Sequence, residues 1–365
     1  MSYQKKNTTR YNILDYMLNN GNTSKALLAK ELNLSMPTVL SNVNGLMDKG
    51  IVTELGELES TGGRKAVLIG LQKDYRYAAG INITANHIGM VLVNFCGEVV
   101  KQEHTRVKFD ADLSCYSNLA GMLEKFCEAE IRSSKLLGTG ISLPGIINQN
   151  EKILVKSHAL GLENYSLKII EQMFSVPVYF ENDANAAMLA ENPQKLKNSL
   201  YLSLNNTLGG AVCIDGMLFT GQNRKAGEFG HMVLFPGGRK CYCGKSGCAD
   251  AYCAASVLTN GGRKRLEDFM ESISTDKDAA ELWDNYLENL AILISNLRMS
   301  FDTDIILGGD AGGYLESYMV ELGRKIFKYN LFDGDLSYLK NCSYQKEASA
   351  IGVAKQFFRK LIETI

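Results

Sequence analysis

The stretch from Gly221 to Asp250, GQNRKAGEFGHMVLFPGGRKCYCGKSGCAD, gathers the residue types best suited to holding a soft metal. His231, Cys241, Cys243 and Cys248 follow the spacing His-x9-Cys-x-Cys-x4-Cys, and glycines at 237, 238, 244 and 247 let the loop fold back on itself. Thiolate and imidazole are ligands that zinc binds in a tetrahedron, and four protein ligands leave no open position for a catalytic water. The pattern predicts a structural zinc ion. Five of the six other cysteines, at 96, 115, 127, 213 and 342, read as ordinary small core residues. Core packing does not explain three cysteines within eight residues, amid glycine and beside a histidine.

Two carboxylates, Glu228 and Asp250, flank these ligands. Carboxylates held rigidly beside an oriented imidazole suit a sugar, whose hydroxyls each need a donor or an acceptor. The bland alternative is a pair of surface charges, the usual fate of Asp and Glu.

Gly-Glu-Phe-Gly-His at 227–231 followed by Cys-x-Cys-Gly-x-x-Gly-Cys-x-Asp at 241–250 resembles the ROK family (repressors, open reading frames and kinases). The resemblance extends over almost the whole chain. It implies an α/β protein: a two-lobed actin-like ATPase (ribonuclease H-like) sugar-kinase fold with the sugar in the interlobe cleft. It also implies that Asn182 and Asp183, in the run Glu-Asn-Asp-Ala-Asn-Ala at 181–186, contact the sugar, the aspartate being the general base of the kinases. The same carboxylate can hydrogen-bond a hydroxyl without any reaction. The sugar set is then Asn182, Asp183, Glu228, His231 and Asp250. His158 stands in the Ser-His-Ala-Leu-Gly loop at 157–161, where many relatives carry an Asn, and reads as a plain surface histidine.

Composition limits the alternatives. At 365 residues with a net charge of −1, the chain is no general polyanion binder, so contact with nucleic acid has to be local. No apolar run approaches the roughly 20 residues that span a bilayer, so no membrane role is expected. The polar start MSYQKKNTTRYN lacks the apolar core of a secretory signal, and nine cysteines then point to reduced thiols and the cytoplasm. No internal repeat or low-complexity tract is visible.

The chain divides into residues 1–72, 76–200 and 201–346, with a last helix at 347–365 expected to pack back on the middle unit. The first 50 residues carry Lys/Arg at 5, 6, 10, 25, 30 and 49 against acids at 15, 31 and 48. A first helix shows Ile13, Leu14, Met17 and Leu18 and ends at Asn20-Gly21. Thr23 or Ser24 caps a second with Leu27, Leu28 and Leu32 inward. Ser35 caps a third, with Pro37 in its first turn and Val39, Leu40, Val43 and Leu46 inward. Thr38, Ser41, Asn42 and Lys49 form its outer face. Strand-like runs on either side of Thr61-Gly62-Gly63-Arg64-Lys65 make a cationic wing, so 1–72 reads as a winged helix-turn-helix for operator DNA, with Thr38, Ser41, Asn42, Arg64 and Lys65 as its contacts. Kinases of the family generally lack this unit.

The phosphate loops differ from those of the family's kinases. Their Asp-x-Gly-Gly-Thr loop aligns with Asn82-Ile83-Thr84-Ala85-Asn86, losing the acid that manages magnesium and both glycines. Asn205-Asn206-Thr207-Leu208-Gly209-Gly210-Ala211 keeps only part of the second glycine loop, and Asp310 adds a negative charge on the nucleotide side. The expectation is a sugar-responsive regulator binding a sugar or sugar phosphate, acting as a homodimer or tetramer on double-stranded operator DNA. The alternative is an ATP-dependent sugar kinase of the same family.

Overall fold

A computed structural model of the chain describes residues 8–57 and 67–365. The three N-terminal helices start and stop where short polar side chains make alternative backbone bonds. Helix α1 (Thr9–Asn20) begins at Thr8, whose hydroxyl accepts the Tyr11 N–H, and ends where the Gly21 N–H returns to the Met17 carbonyl. Helix α2 (Lys25–Glu31) is capped by Ser24, and Asn33 turns the chain left-handed at φ 52°. Helix α3 (Met36–Asp48) is capped by Ser35 with Pro37 in the first turn. Ile13, Leu14, Met17, Leu28, Val39, Val43 and Leu46 fill the space between them.

Two of the expected inward leucines face out. Leu27 and Leu40 are 40% and 39% exposed. Leu40 sits about 100° round the helix from Val39, off the stripe that Val39, Val43 and Leu46 share. The wing strands Val52–Glu57 and Val67–Leu71 pair antiparallel, and Thr23–Ser24 adds a third strand beside the second of them. The tip with Arg64 and Lys65 lies outside the described residues.

Beyond the wing, two five-stranded sheets repeat one topology. In the first, strands run Val178–Asn182, Leu136–Leu143, Tyr77–Ile83, His87–Asn94, Val99–Arg106. In the second they run Leu339–Asn341, Asp304–Gly308, Ser199–Leu204, Leu208–Ile214, Met217–Leu218. Each sheet is an antiparallel meander whose first strand continues into two parallel strands. The duplication is invisible in the sequence because pleat and burial preserve the pattern, not the residues. Strands Ile146–Asn148, Ile153–Ser157 and Leu162–Ser166 form a small sheet on the first lobe.

Helices cover the sheets. Helix α4 (Leu113–Phe126) is followed, after a break at Cys127, by a further turn and a half. Helix α5 (Asp183–Ala190) is almost wholly buried. Helix α6 (Lys277–Phe301) buries Leu287, Leu290, Leu293, Ile294 and Leu297, so that apolar stripe is core. Helix α7 (Met319–Tyr329) follows a 3-10 turn at Leu315–Tyr318. The last helix, α8 (Ala348–Ile362), packs on α5 and on strands Tyr77–Ile83 and Leu136–Leu143 of the first lobe. No described helix is long and apolar enough to cross a membrane.

Candidate functional site

The loop after the second meander brings its four soft ligands together. The ligand atoms of His231, Cys241, Cys243 and Cys248 all lie within 4.8 Å of one another. Cys243 Sγ is 3.7 Å from Cys248 Sγ, and Cys241 Sγ is 3.8 Å from His231 Nδ1. A tetrahedral zinc with Zn–S bonds of about 2.3 Å asks for S···S edges of about 3.8 Å, and the Cys243–Cys248 edge matches, so this donor set suits a metal ion of that kind. Burial, Lys245 and His158 favour the neutral imidazole of His231, the form a metal needs. Backbone pairs hold the loop: Val233 bridges Cys248, and the Leu234 N–H donates to the Gly247 carbonyl. Gly247 is obligatory here, at φ 83° with the Phe235 carbonyl oxygen 1.9 Å from where a Cβ would sit.

His231 faces two ways. Its Nδ1 points to the cysteines, while Nε2 lies 4.0 Å from Glu228 and 3.5 Å from the Tyr242 hydroxyl. A zinc ligand whose second nitrogen is free to donate can orient a sugar hydroxyl while held by the metal. The rings of His158, His231 and Tyr242 form a cluster with centroids 5.4–6.1 Å apart. His158 is therefore no isolated surface histidine; nothing in its own loop signals this, because its partners lie more than 70 residues away.

Between the lobes opens a narrow cleft. Asn182 and Glu228 line it, together with Gly145, Glu181, Asn185 and Arg224. Asn182 ends a parallel strand and caps α5, its Oδ1 accepting the Asn185 N–H and its Nδ2 donating to the Gly145 carbonyl. Ligands of open α/β sheets bind at such carboxyl ends. Asp183 follows at the first turn of α5, where its carboxylate accepts the Ala184 N–H. Burial pushes the Asp183 pKa up to about 6, and burial with the Asp183 charge also raises Glu228. Asp250 is buried and accepts the Leu208 N–H at 2.7 Å; like Asp183 and His231, it is not among the residues lining the cleft. It ties the metal loop to the second sheet. Arg224, at φ 56° and donating to the Ile147 carbonyl, is a cationic wall that sequence reasoning missed.

The segments aligned with phosphate loops have satisfied themselves. Thr84 Oγ1 accepts the N–H groups of Asn86 and His87 and donates to the His87 carbonyl. Asn82 Oδ1 accepts the Ser142 hydroxyl. Across the cleft, Asn205 Oδ1 accepts the Asp310 N–H and its Nδ2 donates to Ser203. The N–H groups of Asn86, His87 and Asp310 are thus bonded to the protein's own side chains.

On the reader, Ser41 is exposed on α3, while Asn42 is tied back to the Thr38 carbonyl and Thr38 to Ser35. Leu40 and Asn44 share the open face with Ser41. Leu40 was expected to face inward, and Asn44 was not singled out from the sequence.

A winged reader on a duplicated kinase-type scaffold, with a loop of one histidine and three cysteines, defines a class: a transcriptional regulator of the sugar-responsive kind. Residues 78–359 match the ROK family and residues 6–53 the winged helix-turn-helix DNA-binding family. The chain belongs to the ROK family. It is 30% identical to the xylose repressor of Bacillus spizizenii over 310 residues, covering 81% of this chain and 80% of that one. It is 24% identical to the transcriptional dual regulator NagC of Escherichia coli over 245 residues, 65% of this chain and 60% of that one. The fold matches a crystal structure of a ROK family transcriptional regulator described as a homologue of E. coli MLC, with TM-score 0.73, 20% identity and 97% of each chain covered. A ROK hexokinase from Thermus thermophilus matches with TM-score 0.61 and 24% identity over 78% of this chain and 98% of that one.

Proposed function

We propose that this chain represses carbohydrate-metabolism genes, binding a two-fold operator as a homodimer or dimer of dimers in the cytoplasm and sensing a sugar or sugar phosphate in the interlobe cleft. The observation that carries the reading is the pairing of a DNA reader with phosphate loops whose backbone donors Thr84 and Asn205 have taken. Asn182, Asp183, Glu228, the Nε2 of His231 and Asp250 hold the sugar, and Asp250 also ties the loop to the Leu208 N–H. Zinc on His231, Cys241, Cys243 and Cys248 fixes the orientation of that imidazole. The relatives' names make D-xylose and N-acetyl-D-glucosamine the first sugars to try. A sugar changes DNA binding only by its differential affinity for the two shapes of the protein.

The kinase reading rests on Asp183 alone. A coupled assay with magnesium ATP and a panel of sugars is expected to show no turnover above background, and Asn82→Asp is expected not to restore it. Turnover at ordinary enzyme rates, of about 1–10³ s⁻¹, refutes the reading.

The raised Asp183 pKa gives a pH dependence. The carboxylate accepts a sugar hydroxyl best when ionised, and with a pKa of about 6 its ionised fraction rises roughly tenfold from pH 5 to pH 7. Sugar affinity measured by calorimetry is expected to rise by that order over the interval. The linkage to stability runs the other way: a carboxyl whose folded pKa is raised stabilises the fold below its unfolded value, and this is lost as pH climbs to about 6. A flat affinity profile counts against Asp183 as the acceptor.

On the DNA side, Ser41→Asp places a negative charge on the open face of α3 toward phosphate and base edges. Like-charge juxtaposition costs several kcal/mol, so operator affinity is expected to fall on the order of 100-fold with sugar binding unchanged. An anisotropy titration showing full affinity removes α3 from the groove.

A further inference from the structure

The sugar-side helix and the DNA reader are joined by a series of polar and close-packed contacts between Asp183 and α1. At the near end, the main-chain carbonyl of Asp183 accepts the Ser349 hydroxyl at 2.9 Å, tying the first turn of α5 to the start of α8. The two helices then pack with no room to slide. A Cβ on Gly352 would lie 1.7 Å from the Ala186 carbonyl oxygen, so only glycine permits the approach. At the far end, Lys355 Nζ donates to the Ala190 carbonyl and to the Tyr344 hydroxyl, closing the open end of α5. Glu191 accepts the Ser343 N–H through both oxygens.

Directly beyond, Asn192 adopts φ 60° and its Nδ2 donates to the Asn19 carbonyl in the last turn of α1. Asn19 also meets the Gln194 side-chain amide at 2.7 Å. The reader is not hung on a loose tether: Tyr11, Leu14 and Met17 belong to one apolar cluster with Phe357, Phe358 and Ile362 of α8. Beside the Asn192–Asn19 contact the packing opens into a cleft of about 260 Å³. Leu18 and Asn19 from the reader and Leu189, Lys355, Phe358 and Arg359 from the first lobe wall it. This space gives α1 room to tilt while the Asn192 bond holds its end.

We propose that α5 and α8 form a rigid strut whose Asn192 end sets the tilt of α1, so that occupancy at Asp183 is read out as the angle of the DNA reader. The helix rises about 1.5 Å per residue, so α5 carries a displacement at Asp183 some 12 Å with the main-chain hydrogen bonds intact. Asn192 and Lys355 touch neither sugar nor DNA; they are positioning residues that couple the two sites. This rests on the sugar-responsive reading above and adds the route.

The test uses full-length protein, labelled DNA from upstream of its own gene, and D-xylose. N-acetyl-D-glucosamine replaces D-xylose if xylose leaves the wild-type melting temperature unmoved. Asn192→Gly removes the bond to Asn19 while suiting the left-handed backbone, and Lys355→Met removes the cap from α5 while keeping its bulk. Coupling between sites in regulators is commonly about 5–150-fold in affinity. Wild type is expected to show a sugar-dependent change in operator affinity in this range. Both variants are expected to bind sugar and sugar-free operator within about twofold of wild type, with the sugar's effect on operator affinity reduced to within about twofold of unity. Lys355→Arg is expected to restore it. Variants that keep the full wild-type factor overturn the strut and leave the sugar-responsive reading standing. A wild type that binds operator without any sugar effect overturns both. Loss of sugar or DNA binding in both variants, with intact melting transitions, also overturns the proposal, because it places these residues in the sites themselves.

Discussion

Asp183→Asn is expected to abolish the sugar response while leaving operator binding in place. The carboxylate is the one acid at the head of α5, and its ionised form offers acceptor capacity that an amide cannot reproduce. A hydrogen bond to a charged group is worth about 1.5–3 kcal/mol, so sugar affinity should drop on the order of 10–150-fold. The helix itself should survive, because Asn182, not Asp183, caps it by accepting the Asn185 N–H. Removing a carboxyl that burial has pushed to about 6 should leave the protein as stable as wild type, or more so, at pH 7. Calorimetry with the responsive sugar and a thermal melt check the two halves together. Sugar affinity within twofold of wild type assigns the hydroxyl contacts elsewhere in the cleft.

Cys243→Ser is expected to release the metal. Three ligands remain, but the thiolate of Cys243 forms one edge of the tetrahedron with Cys248 at 3.7 Å, and serine hydroxyl is a poor soft ligand. Metal-binding energy in such loops is folding energy. The loop carries Glu228 and His231 to the cleft, so its loosening should cost both stability and sugar affinity. A loss of a few kcal/mol translates into a fall in melting temperature on the order of 10 °C for domains of this size. Elemental analysis should give one zinc per chain in wild type and none in the variant. Zinc-free wild type with an unchanged melting temperature contradicts the structural role given to the loop.

What could be read from the sequence was whatever is carried by neighbours in the chain. Capping residues Ser24 and Ser35 announce helix starts because the bonds they make reach only three residues, whereas the caps at Thr8 and Asn182 emerged only in the structure. The spacing of His231 and the three cysteines that follow it is likewise local. The repeated topology of the two lobes was hidden, since different residues satisfy the same alternation of buried faces. The contribution of His158 depends on partners brought in by tertiary folding, as does that of Arg224, whose anchor is the Ile147 carbonyl. Asp250 was visible as an acid near the motif, but its bond to the Leu208 N–H was not. Leu27 and Leu40 show the limit of apolar patterning: a helix of seven residues buries one leucine, and an adjacent pair cannot both face inward.

On the proposed reading, the hairpin bonds at Thr84 and the Asn205–Asp310 bond let a kinase scaffold persist as a sugar sensor without nucleotide. Sugar occupancy then has one remaining consequence, the shape of the protein.

Titrating the protein into labelled DNA from upstream of its own gene, against scrambled DNA of equal length at moderate salt, with and without D-xylose or N-acetyl-D-glucosamine, addresses that consequence directly. The account predicts tighter binding to the upstream sequence than to the scrambled one, and a shift in that affinity of at least about fivefold when one of the sugars is present. Equal binding to both DNAs, or an operator affinity that no sugar moves, contradicts it.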